Sequence, residues 1–394
     1  MSSAPVRSCR ARPASMIPSL ASTGSVAPMN CSLSLYQVTL PRPGNVVPWY
    51  VVPPSSPTST RHRRSPMRIL ITGVTGRIGA NLASSLVQQG HDVRGLVWAR
   101  DARTEKLAGI GLELVEGTLT DPDVIARACA GVQAIYHLGG AFQGGGPFTP
   151  AEYFDINVRG TFNVLEAAKS IPDLVTVAIA STDAVYEKYL PDGMTAPVSE
   201  SMPAKPAGYY AVTKSLAEDL GLGYARSFGM PVVALRFALV VGAGEFATFP
   251  QFHLSSMKAQ RKGLEVTGSV PVADDALVIM RDRNGRPWRK HVADVRDIVG
   301  GCVAALDHPA SRGHAIQLGA PEAFDWDTTV PYLAAKLGRT YVDAKDPGTP
   351  TYYEFDLTRC RSLLGYQPQY GTHRMIDDAV AYLNGSDISV VPTG

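Results

Sequence analysis

The first 66 of 394 residues contain no aspartate or glutamate, and that absence divides the chain in two. The same segment holds seven arginines (Arg7, Arg10, Arg12, Arg42, Arg61, Arg63 and Arg64), so +7 sits on the leader and −5 on the remainder of a chain whose total is +2. A mildly acidic body argues against nucleic acid as a main partner. Cysteine is scarce: Cys9, Cys31, Cys129, Cys302 and Cys360 show no paired spacing, which excludes a zinc ribbon or a disulfide scaffold and fits a reducing compartment. No set of metal ligands stands out. No apolar run is long enough to span a bilayer, so no membrane partner is expected.

The leader lacks periodicity as well as acids. Prolines such as Pro18, Pro28 and Pro41 interrupt each apolar stretch, which rules out a secretory h-region and predicts disorder. Surplus Arg and Ser without acids is a transit-peptide composition. The other reading is that translation begins at Met67, directly before the first strand, and that the leader is inert or a gene-model artefact. A chain beginning at Met67 is expected in the cytoplasm; a genuine leader implies organelle import.

From Met67 the chain is organised around MRILITGVTGRIGANLASSLVQQG, residues 67–90. The apolar run at 69–71 reads as a buried parallel strand. Gly73, Gly76 and Gly79 follow, then Ile78, Leu82 and Leu86 recur at helical period before Gly90 stops the helix. Strand, glycine turn and helix together make a pyrophosphate cradle, because glycines admit the phosphates and the helix N-terminus supplies N–H donors. Further strands are expected at 92–97, 112–115, 133–138, 174–180 and 232–237, and helices near 121–130, 150–169 and 209–227. This alternation predicts an α/β fold, a Rossmann-type doubly wound parallel sheet. After Gly242 the rhythm is lost. Residues 67–241 are read as the NAD(P)-binding Rossmann domain and 242–394 as mainly a smaller substrate-binding lobe, with 291–319 returning to the sheet and 282–285 forming a hairpin turn.

Tyr210 and Lys214 lie at i, i+4 on one face of the helix at 209–227. A phenol is a poor base at neutral pH, and a nearby ammonium favours its ionised form, so Lys214 is expected to lower the Tyr210 pKa. Composition alone gives about 0.4 Tyr-x-x-x-Lys matches by chance. A second match, Tyr332 and Lys336, is read as a packing tyrosine with a solvated lysine.

Several short segments in order resemble the extended short-chain dehydrogenase/reductase family, which holds nucleotide-sugar epimerases and dehydratases. They are TGVTGRIG (72–79), HLGGA (137–141), NVRGT (157–161), STDAVY (181–186), YAVTK (210–214), HVADV (291–295) and DLTRCRSLLGYQP (356–368), and the likeness runs from Met67 to about Leu383. The resemblance implies Thr182, Tyr210 and Lys214 as catalytic residues, with Thr182 preferred to Ser181 because it lies four residues before Tyr186. It also implies a dinucleotide held by Gly73, Thr75, Gly76, Arg77, Ile78, Gly79, Leu138, Gly139, Asn157, Tyr210 and Lys214, and a homodimer through the helices at 150–169 and 209–227. For Asn157 the competing role is to tie its helix to the loop after the fourth strand.

Departures from the family pattern narrow the function. STDAVY resembles the STDEVY of 4,6-dehydratases but carries Ala184 at the glutamate, which breaks the acid–base pair that eliminates water. Leu239 and Pro287 stand where nucleotide-sugar enzymes carry a diphosphate-binding Asn and Arg, although Arg281, Arg283, Arg286 and Arg289 keep the region basic. At the end of the second strand Val97 replaces the acid that would bind an adenosine 2′-hydroxyl, and Arg77 with Arg100 could grip a 2′-phosphate. NADP is therefore expected ahead of NAD. The leading expectation is an NAD(P)-dependent oxidoreductase interconverting a secondary alcohol and a carbonyl on a small-molecule, sugar-like substrate. The alternatives are a nucleotide-sugar epimerase with retained NAD and a non-catalytic dinucleotide sensor.

Overall fold

The run Arg68–Thr72 forms the first strand, β1, and every residue after Arg68 in it is buried. Its side chains alternate between two cores: Ile69 and Ile71 join Tyr136 and Ala178, while Leu70 joins Ile135, Val177 and Ile179. A strand apolar on both faces must have helices on both faces. The computed structural model describes residues 65–99, 101–142, 148–267, 273 and 275–393. The expectations for the leader up to residue 64 and for Arg100 fall outside the described residues.

Six more strands complete the sheet: β2 (Asp92–Val97), β3 (Glu113–Glu116), β4 (Ala134–His137), β5 (Thr176–Thr182), β6 (Val232–Phe237) and β7 (Ala315–Leu318). Their order is β7-β6-β5-β4-β1-β2-β3 and every pairing is parallel. The chain leaves β1 outward to β2 and β3, then crosses back to β4. The connections after β1 and β4 therefore run to opposite sides of the sheet, which makes the carboxyl ends of these neighbouring strands the switch point where ligands bind in such sheets.

The strand expected at 174–180 is shifted. β5 runs on to Thr182 because Ser181 and Thr182 pair with Arg236 and Phe237 of β6. This places the Thr182 hydroxyl at the carboxyl edge of the sheet.

The glycine turn leads into α1 (Arg77–Gln88), and α2 (Pro122–Cys129) is capped by the Asp121 carboxylate. The helix expected at 150–169 is three pieces: α3 (Pro150–Phe154) with a Thr149/Glu152 capping box, a π turn at Asp155–Arg159, and α4 (Gly160–Ala168). The long helix α5 (Gly208–Phe228) buries Ala211, Lys214, Ala217, Glu218 and Gly221 and ends at Gly229, whose φ is +64°. A Cβ at Gly221 would collide with Ile179, so glycine sets the close approach of α5 to β5.

A second core, around Phe246, Phe252, Trp288, Phe324 and Trp326, organises the C-terminal lobe. There Tyr341–Lys345 pairs antiparallel with Glu265–Thr267 and parallel with Leu277–Arg281. Asp282 and Gly285 close the expected tight turn, with Gly285 N–H donating to Asp282 O at 2.9 Å. The stretch 291–319 leaves the lobe: Val292–Asp294 pairs with Leu239–Val241, the helix Val295–Asp307 packs on α1, and β7 joins the sheet beside β6. Among the described residues no helix is long and apolar enough to cross a membrane.

Candidate active site

Gly73 has φ +69°, and a Cβ there would lie 2.6 Å from Gly139 Cα, so only glycine lets the β1 and β4 loops meet. The Thr72 hydroxyl fixes that contact by accepting the Gly139 N–H at 3.1 Å, while His137 Nδ1 lies 2.8 Å from it. Burial drives the His137 pKa down to about 3, which keeps the ring neutral as a brace between β1, β4 and Thr161 of α4. A Cβ at Gly79 would strike the Gly73 carbonyl. Gly76 caps α1 without any side-chain bond, so the first-turn N–H groups of that helix are left for a ligand. Clearance and donors together fit a dinucleotide pyrophosphate. Ile78 and Leu138 pack beneath the loop against the main core.

Arg77 does not serve the adenosine end. Its guanidinium donates to Val240 O (2.8 Å) and Thr393 Oγ1 (3.1 Å) and pairs with Glu245 (2.8 Å), so the expected Arg77–Arg100 phosphate clamp loses one half. What the sequence reading missed is Asp101. Its carboxylate accepts the Thr75 hydroxyl at 2.6 Å, which returns an acid to the glycine loop four residues beyond Val97. The Arg103 guanidinium beside it, helped by Thr75, holds that carboxyl down at about 2. Asp101 carries no motif; only the turn after β2 brings it back.

Asn157 sits in the π turn. Its amide accepts Ala141 N–H at 2.7 Å and donates to Ala141 O (3.1 Å) and Thr213 Oγ1 (3.0 Å), the tethering role weighed from sequence.

Thr182, Tyr210 and Lys214 come together at the carboxyl end of β5. The Thr182 hydroxyl accepts the Ala184 N–H at 3.2 Å and lies near enough to the Tyr210 phenol to favour its ionised form. Ser181 is excluded from this role because its hydroxyl donates to Glu218 at 2.5 Å. Lys214 is buried one helical turn from Tyr210, and its Nζ faces Gly140, whose added Cβ would lie 3.9 Å away. The expectation that Lys214 lowers the Tyr210 pKa is not met. Burial raises the phenol, and the opposing influence is the Thr182 hydroxyl. Burial also lowers Lys214 to about 8, against the pull of Glu218. The phenol is thus a proton donor at rest.

A buried network backs the site. Glu218, four residues past Lys214, receives Arg236 through both Nε (2.9 Å) and Nη2 (2.5 Å), and Arg236 Nη1 donates to the Tyr186 hydroxyl at 2.6 Å. Asp183 is held by the buried Lys188 at 2.7 Å, so it sits as the partner of an ammonium. Each arginine of the basic region has an acidic partner: Arg281 pairs with Asp343, Arg283 with Asp192, Arg286 with Asp282, and Arg289 with Asp325 and Glu354. Tyr332 and Lys336 both bind Asp377, away from the sheet edge, as expected for a surface pair. Burial pushes the free thiols Cys129, Cys302 and Cys360 up to about 12, which removes them as nucleophiles. Among the described residues no cluster of potential metal ligands occurs.

A family model described as "NAD dependent epimerase/dehydratase family" matches residues 69–319, which span the cradle, the Thr182–Tyr210–Lys214 group and β7. The chain belongs to this family. It is an enzyme of the extended short-chain dehydrogenase/reductase type, built on the Rossmann sheet that the sequence pattern indicates. Among solved structures it is similar to a short-chain dehydrogenase/reductase superfamily protein from Agrobacterium tumefaciens with bound NAD, at 32% identity and a TM-score of 0.69, over 80% of this chain and 97% of that one. It is 26% identical to UDP-glucuronate 4-epimerase 1 of Arabidopsis thaliana over 78% of this chain and 74% of that protein. It is also 34% identical to the 4-hydroxy-2-methyl-3-oxo-4-farnesyl-3,4-dihydroquinoline-1-oxide ketoreductase of Stigmatella aurantiaca, over 47% of this chain and 54% of the relative.

Proposed function

We propose that this family member is an NAD-dependent oxidoreductase that interconverts a secondary alcohol and its carbonyl on a small, polyol-like substrate. The observation that carries this reading is the Thr182–Tyr210 hydroxyl pair backed by the buried Lys214. A bound nicotinamide dinucleotide supplies the hydride acceptor or donor. Tyr210 handles the proton on the substrate oxygen: it protonates the oxygen during reduction and receives the proton during oxidation. Thr182 donates to the same oxygen and polarises it, while its bond from the Ala184 N–H fixes the hydroxyl. Lys214, with a pKa near 8, supplies positive charge where negative charge develops.

NAD replaces NADP as the cofactor we assign. Arg77 is committed to Glu245, and the ionised Asp101 beside the glycine loop opposes a 2′-phosphate. The solved relative from Agrobacterium tumefaciens carries NAD. The exposed apolar stripe Tyr209, Val212 and Leu216 on α5, with Phe162 on α4, is assigned to a homodimer contact.

Likeness to the Arabidopsis 4-epimerase over most of the chain supports a second reading, epimerisation with the dinucleotide retained. The ion-paired arginines and the exposed Leu239 oppose it, because the arginines already face carboxylates and an apolar Leu donates nothing to a diphosphate. One experiment separates the two. The full-length protein is screened against alcohols, sugar acids, ketones and UDP-sugars while absorbance of the reduced nicotinamide is followed. Net reduction of added NAD supports the oxidoreductase; a new UDP-sugar isomer without net reduction supports the epimerase. Tighter binding of NADP than NAD in the same preparation would overturn the cofactor assignment.

A further inference from the structure

With the lobe arginines ion-paired, two other cations stand close to the reacting end of the site, and both are buried. Lys188 follows Tyr186 in the loop after β5. Its Nζ donates to the Asp183 carbonyl at 2.8 Å and pairs with the Asp183 carboxylate at 2.7 Å, over the rings of Tyr353 and Tyr189. Lys290 lies on the short strand Arg289–Lys290, opposite Phe324. It is only 4% exposed, sits 4.8 Å from the Phe249 ring centroid, and donates to the neutral amide oxygen of Gln251 at 2.8 Å. Lys290 feels the charge of both Asp183 and Lys188, and Asp183 in turn acts on Tyr210.

Lys188 is matched by Asp183, but Lys290 makes no ion pair among the described residues and donates only to an amide. Burial lowers the pKa of His291, the residue after Lys290, to about 4, so its ring is neutral at pH 7, with Nε2 on Ala320 O and Nδ1 accepting Phe355 N–H. The other acids nearby, Glu354 and Asp325, belong to Arg289, and Asp346 belongs to Arg261. A buried ammonium without an ion pair costs several kcal/mol, so a chain that keeps one in reach of Asp183, next to Thr182, has a use for it. A single ammonium without a paired acid matches a carboxylate, whereas a phosphate monoester brings close to two negative charges. The aromatic walls add apolar contact for a carbon skeleton.

We propose that Lys290, with Lys188 and the Gln251 amide, forms a subsite that holds a substrate carboxylate next to the carbinol carbon handled by Tyr210. The substrate is then a hydroxy acid of the sugar-acid type. This rests on the functional reading above for the identity of the reacting carbon; the subsite itself can be tested without turnover.

The test uses the full-length protein saturated with NAD. Thermal stabilisation by D-gluconate, D-glucuronate and D-galacturonate is compared with that by gluconamide, for wild type, Lys290→Met, Lys290→Arg and Tyr210→Phe. The expected result is stabilisation by at least one acid and not by the amide, lost in Lys290→Met, weakened in Lys290→Arg and preserved in Tyr210→Phe. Where turnover is seen, the kcat/KM ratio of acid to amide should fall about 30-fold in Lys290→Met, through KM. Lys290→Met removes a buried charge and leaves an apolar chain of similar length, and its unliganded melting temperature reports that it folds. Acid stabilisation without turnover in any pairing would sink the functional reading and leave the subsite standing. No stabilisation by any acid, equal stabilisation by acid and amide, or stabilisation that survives Lys290→Met overturns the subsite.

Discussion

Lys214 serves two ends that oppose each other. In the proposed reaction its charge would act at the reacting centre, yet burial lowers its pKa from 10.5 to about 8, so the folded protein binds that proton less tightly than the unfolded chain. Below about pH 8 both states hold the proton and the full penalty stands. Between about 8 and 10.5 the unfolded chain holds more protons, and stability rises with pH. Lys214→Met should therefore be more stable than wild type at pH 7 without cofactor, by about 3 kcal/mol. The gain should shrink as pH rises toward 10. Denaturant melts across that range check it, and a variant no more stable than wild type at pH 7 would count against an uncompensated ammonium. Tyr210→Phe acts on chemistry instead. It removes the proton donor but keeps the ring, so kcat should drop by about 100-fold or more with little change in dinucleotide affinity. Steady-state kinetics and direct NAD binding separate the two effects, and a variant retaining most of wild-type kcat would remove Tyr210 from its role.

At the element scale the opening unit β1–glycine turn–α1 holds more than its sequence pattern showed. Asn81 of α1 exchanges two hydrogen bonds with the Val391 backbone, donating at 2.9 Å and accepting at 2.8 Å. Lys106 reaches the Pro392 carbonyl at 3.1 Å, the Thr393 hydroxyl donates to Glu245 at 2.6 Å, and Val390 is buried. The segment 387–393 therefore straps α1 and fixes Arg77 through Glu245. Removing residues 387–394 should lower the melting temperature by several degrees, since a buried Val and a few hydrogen bonds amount to about 3 kcal/mol. NAD binding should weaken about tenfold as the loop relaxes. Differential scanning calorimetry and NAD titration provide the check; unchanged values would show that the strap is passive. Local pattern could not reveal this contact, which joins residues more than 300 apart in the chain. The elements that were legible, β1, β2, β6, α1 and α5, have cores written in their own periodicity. The roles proposed for Thr182, Tyr210 and Lys214 could be written down from sequence because they were read from residue types at set positions in STDAVY and YAVTK. Asp101, Lys188 and Lys290 were not legible, because each owes its place to a turn or to a strand of another element.

At the scale of the whole molecule, the surface of α5 opposite the sheet remains to be explained. Tyr209, Val212 and Leu216 recur at helical spacing and are 62%, 40% and 43% exposed, with Phe162 of α4 at 45%. The opposite face of α5 carries Lys214 and Glu218, so the helix that positions the chemistry also presents an apolar stripe to water. Such a stripe is costly to leave bare, and a second copy related by a two-fold axis would cover it with the same residues. The assigned homodimer would then stabilise α5 and, through it, the Tyr210–Lys214 spacing. A Val212→Glu/Leu216→Glu double variant places like charges on both sides of that contact without touching the buried face. Light scattering after gel filtration should show wild type at twice the chain mass at micromolar concentration and the double variant at a single chain mass. Circular dichroism should report intact helix content, and kcat should fall as α5 loosens. A wild type that runs as a monomer, or a double variant that still dimerises, would move the contact elsewhere and leave the α5 stripe as plain surface.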